Sequence, residues 1–112
     1  MYVEVLRVDS KGRITIPAYM RLVLGIEPNS KVVAILDEER KVIELRVTEP
    51  GALFLCVSES VDVSELEALV HEYASKLVSI NCVRSDKGSA YCRIVTRDEP
   101  IELEGFMCRS LE

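Results

Sequence analysis

The feature that most constrains this chain is the run Lys31-Val32-Val33-Ala34-Ile35-Leu36. Side chains alternate across a strand, so consecutive apolar residues make this strand apolar on both faces. A charged turn, Asp37-Glu38-Glu39-Arg40-Lys41, leads into a second β-rich run at residues 42–47. The two runs read as a hairpin. An isolated hairpin has nothing against which to bury two apolar faces. The first 47 residues or so are also too few to supply a self-sufficient core. Two interleaved copies would cover what one leaves bare, so the expectation is an obligate homodimer formed through residues 1–47.

The segment before the hairpin is read from its punctuation. Residues 2–8, YVEVLRV, are β-rich, and Asp9-Ser10-Lys11-Gly12 is a turn signal. Residues 13–16, RITI, alternate and predict a second strand. Pro17 suits the first turn of a helix. A short helix is expected over residues 18–24, with Gly25 as a left-handed cap and Ile26 folding back on the last turn. The predicted order is β-turn-β-α-β-β.

Charge is distributed unevenly. The chain carries a formal net charge of -5. Residues 1–49 are neutral overall, and residues 50–112 carry the whole acidic excess. Yet Arg7, Lys11, Arg13 and Arg21 stand close together, around Gly12 and beside the Ile16-Pro17 step. The ordered pattern Val8-Asp9-Ser10-Lys11-Gly12-Arg13-Ile14-Thr15-Ile16-Pro17, then Arg21, then Leu24-Gly25-Ile26, then the hairpin, resembles the AbrB/MazE/SpoVT-type swapped-hairpin DNA-binding domain. The resemblance covers residues 1–47. It implies an intertwined, β-barrel-like homodimer that binds double-stranded DNA through basic residues around the turn and short helix.

The residues support that reading on their own chemistry. Arg7 precedes the turn, Lys11 lies in it and Arg13 follows it. Arg21 lies on the adjoining helix. Arginine forks suit phosphate oxygens and guanine edges, and Lys11 suits a phosphate. A two-fold axis would double the four cations on one surface. The plainer alternatives are an Arg13–Asp9 pair across the turn and an Arg21 merely exposed on its helix. Leu6 and Leu22 occupy places where strongly binding family members carry further basic residues, so the footprint here is thinner.

The second half follows a different pattern. Thr48-Glu49-Pro50-Gly51 reads as a linker. An apolar strand is expected at 52–57. Asp62-Val63-Ser64-Glu65 has the form of a capping box for a helix over 63–78, with Leu66, Leu69, Val70, Tyr73 and Leu77 on one face. Strands at 78–84 and 90–96 flank a turn at Asp86-Lys87-Gly88, with a short final strand at 101–103. The fold class is therefore α+β: a swapped-hairpin unit over residues 1–49 and a β-α-β-β domain over 50–112.

Several functions are excluded on composition. No apolar run approaches a membrane span, and no basic-then-apolar leader is visible, which points to a cytoplasmic protein. No nucleophile–base pair or paired carboxylate stands out, so no enzyme, cofactor or metal is expected. His71 reads as a solvated helix residue. Cys56, Cys82, Cys92 and Cys108 form no CxxC pair. The hairpin turn sets Cys82 opposite Cys92, and the reading favours two neighbouring reduced thiols over a bridge. The function expected is a DNA-binding transcriptional regulator, homodimeric or larger. Its second domain would assemble dimers or sense a small-molecule effector. The alternatives are an antitoxin, whose second half would fold on a toxin, and an assembly module without DNA binding.

Overall fold

The computed structural model describes residues 1–86 and 88–112. The element order is α1 (Ala18–Leu24), β1 (Val32–Asp37), β2 (Val42–Val47), β3 (Leu53–Asp62), α2 (Val63–Tyr73), a 3-10 turn (Ala74–Lys76), β4 (Leu77–Asp86), β5 (Ser89–Arg97) and β6 (Met107–Ser110). β1 and β2 form a two-stranded antiparallel sheet, and the others a four-stranded antiparallel sheet in the order β4-β5-β3-β6. The class is α+β, and no barrel closes among the described residues of one chain.

The strands expected at 2–8 and 13–16 are not strands within one chain. The turn between them does form: the Asp9 N–H donates to the Arg13 carbonyl at 2.9 Å, and Gly12 takes the left-handed φ of 79°. A strand exists through its partner, and a single chain offers these arms none. The helix that follows ends as its sequence specifies. Gly25 is left-handed, and Ile26 N–H donates to the Arg21 carbonyl at 2.9 Å, a Schellman closure.

The core lies wholly in the second half. Cys56, Val61, Leu69, Tyr73, Ala90, Cys92, Ile94 and Ile101 form one buried cluster. No buried hydrophobic residue precedes Leu53. Helix α2 covers one face of the large sheet with Leu69 and Tyr73. Asp62 caps it by accepting from the Ser64 N–H at 3.0 Å; the Ser64 hydroxyl first, and then that N–H, hold the Asp62 carboxyl below its usual range. A bulge in β3 between Ser58 and Val61 lets both residues point inward although they are three apart.

Four further expectations need correction. The helix stops at Tyr73 instead of residue 78, because Leu77 is drawn into pairing with Thr96. The final strand is Met107–Ser110, not 101–103; Ile101 is instead a buried plug whose N–H points at Cys56 Sγ. Cys82 does pair with Cys92, as do Val83 with Tyr91 and Arg84 with Ala90, but nearer the turn the register shifts by one residue, so that Ser89 pairs with Asp86. The expected turn residue Lys87 lies outside the described residues, and Gly88 is left-handed as anticipated. The facing thiols are bridged rather than reduced. The Cα atoms of Cys82 and Cys92 are 4.1 Å apart, close enough for their sulfurs to bond. A second bridge, Cys56–Cys108, clasps β6 to β3, because a final strand at Met107–Ser110 sets Cys108 opposite Cys56.

Candidate nucleic-acid interface

The Asp9 turn organises the basic residues. Asp9 Oδ1 accepts from the Lys11 and Arg13 N–H groups, each at 2.9 Å. Its Oδ2 accepts from Arg13 Nε at 2.8 Å. The Arg13 backbone hydrogen bond, the Arg13 side chain and the Lys11 N–H together hold the Asp9 carboxyl below its usual range. The pairing of Arg13 with Asp9 is thus realised, through Nε. Arg13 remains 69% exposed, which leaves its outer nitrogens facing solvent. The pair orients the fork rather than burying it, and its own contribution to stability is small at that exposure.

Arg21 is joined to the same unit. Its Nη1 donates to the Ile16 carbonyl, tying α1 to the arm that follows the turn. Arg7 and Lys11 make no ion pair among the described residues, and both are exposed. Tyr2 packs on Tyr19 with ring centroids 4.8 Å apart, linking the first arm to α1. The sequence reading missed that contact, whose only signal is a tyrosine at each site. All four basic side chains therefore stand on one locally bonded unit: two arms, their turn and a helix of about two turns.

Most of this half is apolar and uncovered. In β1–β2, Val32, Ala34 and Leu36 pair with Val47, Leu45 and Ile43 on one face. Leu36 is 60% and Ile43 68% exposed. The opposite face carries Val33, Ile35 and Asp37 with Arg46, Glu44 and Val42. No helix of the described residues is long and apolar enough to cross a membrane.

The family model for "Antidote-toxin recognition MazE, bacterial antitoxin" matches residues 5–52. No curated protein and no solved structure matches the chain. The match spans the Asp9 turn, α1 and the β1–β2 hairpin, and ends where the four-stranded sheet begins. Residues 5–52 therefore form an AbrB/MazE-like unit, and the rest of the chain lies outside that match.

Proposed function

We propose that this protein is a cytoplasmic DNA-binding transcriptional regulator acting as a homodimer or higher oligomer. Residues 1–49 are its DNA-binding unit, and residues 50–112 a second domain that assembles dimers or senses a small effector. The observation that carries this reading is the braced Asp9 turn, which presents Arg7, Lys11 and Arg13 on a unit to which Arg21 is also bonded. Arg13 and Arg21 supply forks for phosphates and base edges, and Arg7 and Lys11 supply phosphate contacts.

Dimerisation is supported by what one chain leaves undone. Residues 1–8 and 13–16 carry unpaired backbone, and the Val32/Ala34/Leu36/Ile43/Leu45/Val47 face is largely exposed. A second copy would supply strand partners and a core together, and would double the cations from four to eight.

The matching family's description names an antitoxin, which favours a second reading. An antitoxin's toxin-binding tail is typically extended and acidic, and folds on its target. Residues 53–110 instead pack their own sheet, helix and two disulfides. That weighs for the regulator. Fluorescence titration of random duplex DNA against salt, on wild type and Arg13→Ala, tests it. Salt-dependent binding weakened by the substitution is expected; no binding to any duplex at low salt would overturn the reading.

A further inference from the structure

The two faces of the β1–β2 hairpin keep different company. The wholly apolar face is open. Val33 and Ile35, on the other face, look across at the outer face of the four-stranded sheet, the one α2 does not cover. Between them lies a cavity of about 290 Å³, room for on the order of ten waters. Most of its wall is apolar: Val33 and Ile35 from β1, Leu55 from β3, Val95 from β5, and Leu111 from the C-terminal tail. Val95 is buried and the other four are half-buried.

One side is different. Ser79, Asn81 and Arg93 line it, and the sheet register sets Ser79 beside Val95 and Asn81 beside Arg93. Three hydrogen-bond donors, one cationic, are thus grouped at the edge of an apolar chamber. Asn81 and Arg93 are exposed, so this side is the mouth. Arg93 makes no ion pair among the described residues. Its guanidinium carbon lies 5.7 Å from the centre of the Tyr91 ring, a contact that restrains it over the sheet. Glu38, from the hairpin turn, also lines the cavity and opposes a second negative charge on any occupant.

We propose that this cavity is a binding site for a small amphipathic monocarboxylate. The carboxylate sits at Arg93, Asn81 and Ser79, and the apolar body lies among Leu55, Val95, Leu111, Val33 and Ile35. Charge-assisted pairing with a guanidinium fixes the head group, and the displaced water favours an apolar tail. The site does not rest on the DNA-binding reading, and its test contains no DNA.

The test is a titration of isotope-labelled full-length protein, followed by amide chemical shifts. Hexanoate is the probe, with hexanol and adipate as the uncharged and doubly charged comparisons. Saturable shifts at Val33, Ile35, Leu55 and Val95 are expected with hexanoate, and weaker binding with the other two. Arg93→Gln, at an exposed position, should weaken hexanoate by about 10- to 100-fold, and Arg93→Lys should restore part of the loss. The proposal is overturned if hexanoate leaves these amides unmoved, if the shifts fall elsewhere, if hexanol or adipate binds as well, or if Arg93→Gln binds hexanoate unchanged.

Discussion

Reducing the two disulfides should cost the second half most of its stability, and the two bridges should contribute unequally. Cys56–Cys108 closes a separation of 52 residues and Cys82–Cys92 one of 10. Loop-closure entropy then assigns about 4 kcal/mol to the first and about 2.7 kcal/mol to the second at room temperature. A unit of 63 residues, 50–112, has roughly 3–9 kcal/mol of net stability to lose. Together the bridges rival that total. Each bridge joins one fully buried cysteine (Cys56 or Cys92) to a half-buried one (Cys108 or Cys82). The packing lost on replacement is therefore similar, and the difference reports loop length. Urea unfolding would be compared for wild type, Cys56→Ala/Cys108→Ala and Cys82→Ala/Cys92→Ala, with and without reductant. The long-loop pair should be the less stable by about 1.5 kcal/mol. Equal losses, or a larger loss from the short loop, would refute the entropic account. An unchanged midpoint on reducing wild type would refute the importance of both bridges.

The remaining predictions address the first half and the acid limit. Ile43→Asp, on the exposed apolar face, should convert the protein to monomer in sedimentation; a dimer at unchanged affinity would remove that face from the interface. With four to eight phosphates neutralised per dimer, log K should fall against log salt with a slope of about -4 to -7. Arg13→Ala should cost about 1–3 kcal/mol where it reads a base, and Lys11→Ala should flatten the slope by about one unit across all sequences. The Asp98 carboxyl is held low first by the Lys76 hydrogen bond, then by the charges of Lys76 and Arg97, and Asp62 is held low by Ser64. A depressed carboxylate contributes stability above its unfolded pKa and loses it as the pH falls through the folded one. The stability these two carboxylates contribute should therefore begin to fall as the pH enters the usual aspartate range and be gone once it has passed through the lower folded values, with the carboxyl resonances of Asp62 and Asp98 titrating lower than an ordinary aspartate.

What could be read from the sequence was local chemistry. Gly25 and Ile26 specify a helix end whatever surrounds them, and they form it. Asp9 was legible as a partner for Arg13, because a short acid four residues from a cation across a Gly turn has little else to reach. Cys82 and Cys92 follow from counting back from Gly88. The failures are places where distant pairing decides. Nothing in Ala74-Ser75-Lys76-Leu77 stops a helix, since it contains no Gly or Pro. Pairing of Leu77 with Thr96 ends it, against local preference. Ile101 and Leu103 alternate as a strand would, yet Ile101 is buried under Tyr73, whose hydroxyl accepts the Glu102 N–H at 2.9 Å. Ser79, Asn81 and Arg93 look like the solvent side of ordinary strands. Only the folded chain sets Val33 and Ile35 opposite them.

That placement makes β1 a wall shared by two sites. Val33 and Ile35 line the cavity, and Ala34 and Leu36, the residues between and beyond them, border it too while sharing the apolar face a second copy would cover. A strand cannot shift on one face alone, because its side chains alternate on one backbone. A carboxylate that draws β1 toward Arg93 would therefore also move the face proposed to pair with a second copy, and with it the spacing of the basic units in such a dimer. Such a ligand changes DNA affinity only if it binds the DNA-competent and incompetent arrangements unequally. Linkage then requires DNA to change hexanoate affinity by the same factor, typically about 5- to 150-fold where sites are coupled. Hexanoate binding to the full chain should be measured with and without saturating duplex, and duplex binding with and without saturating hexanoate. Matching factors different from one are expected. Two factors of one would mean that β1 is rigid between its faces, and that the cavity works independently of the basic surface.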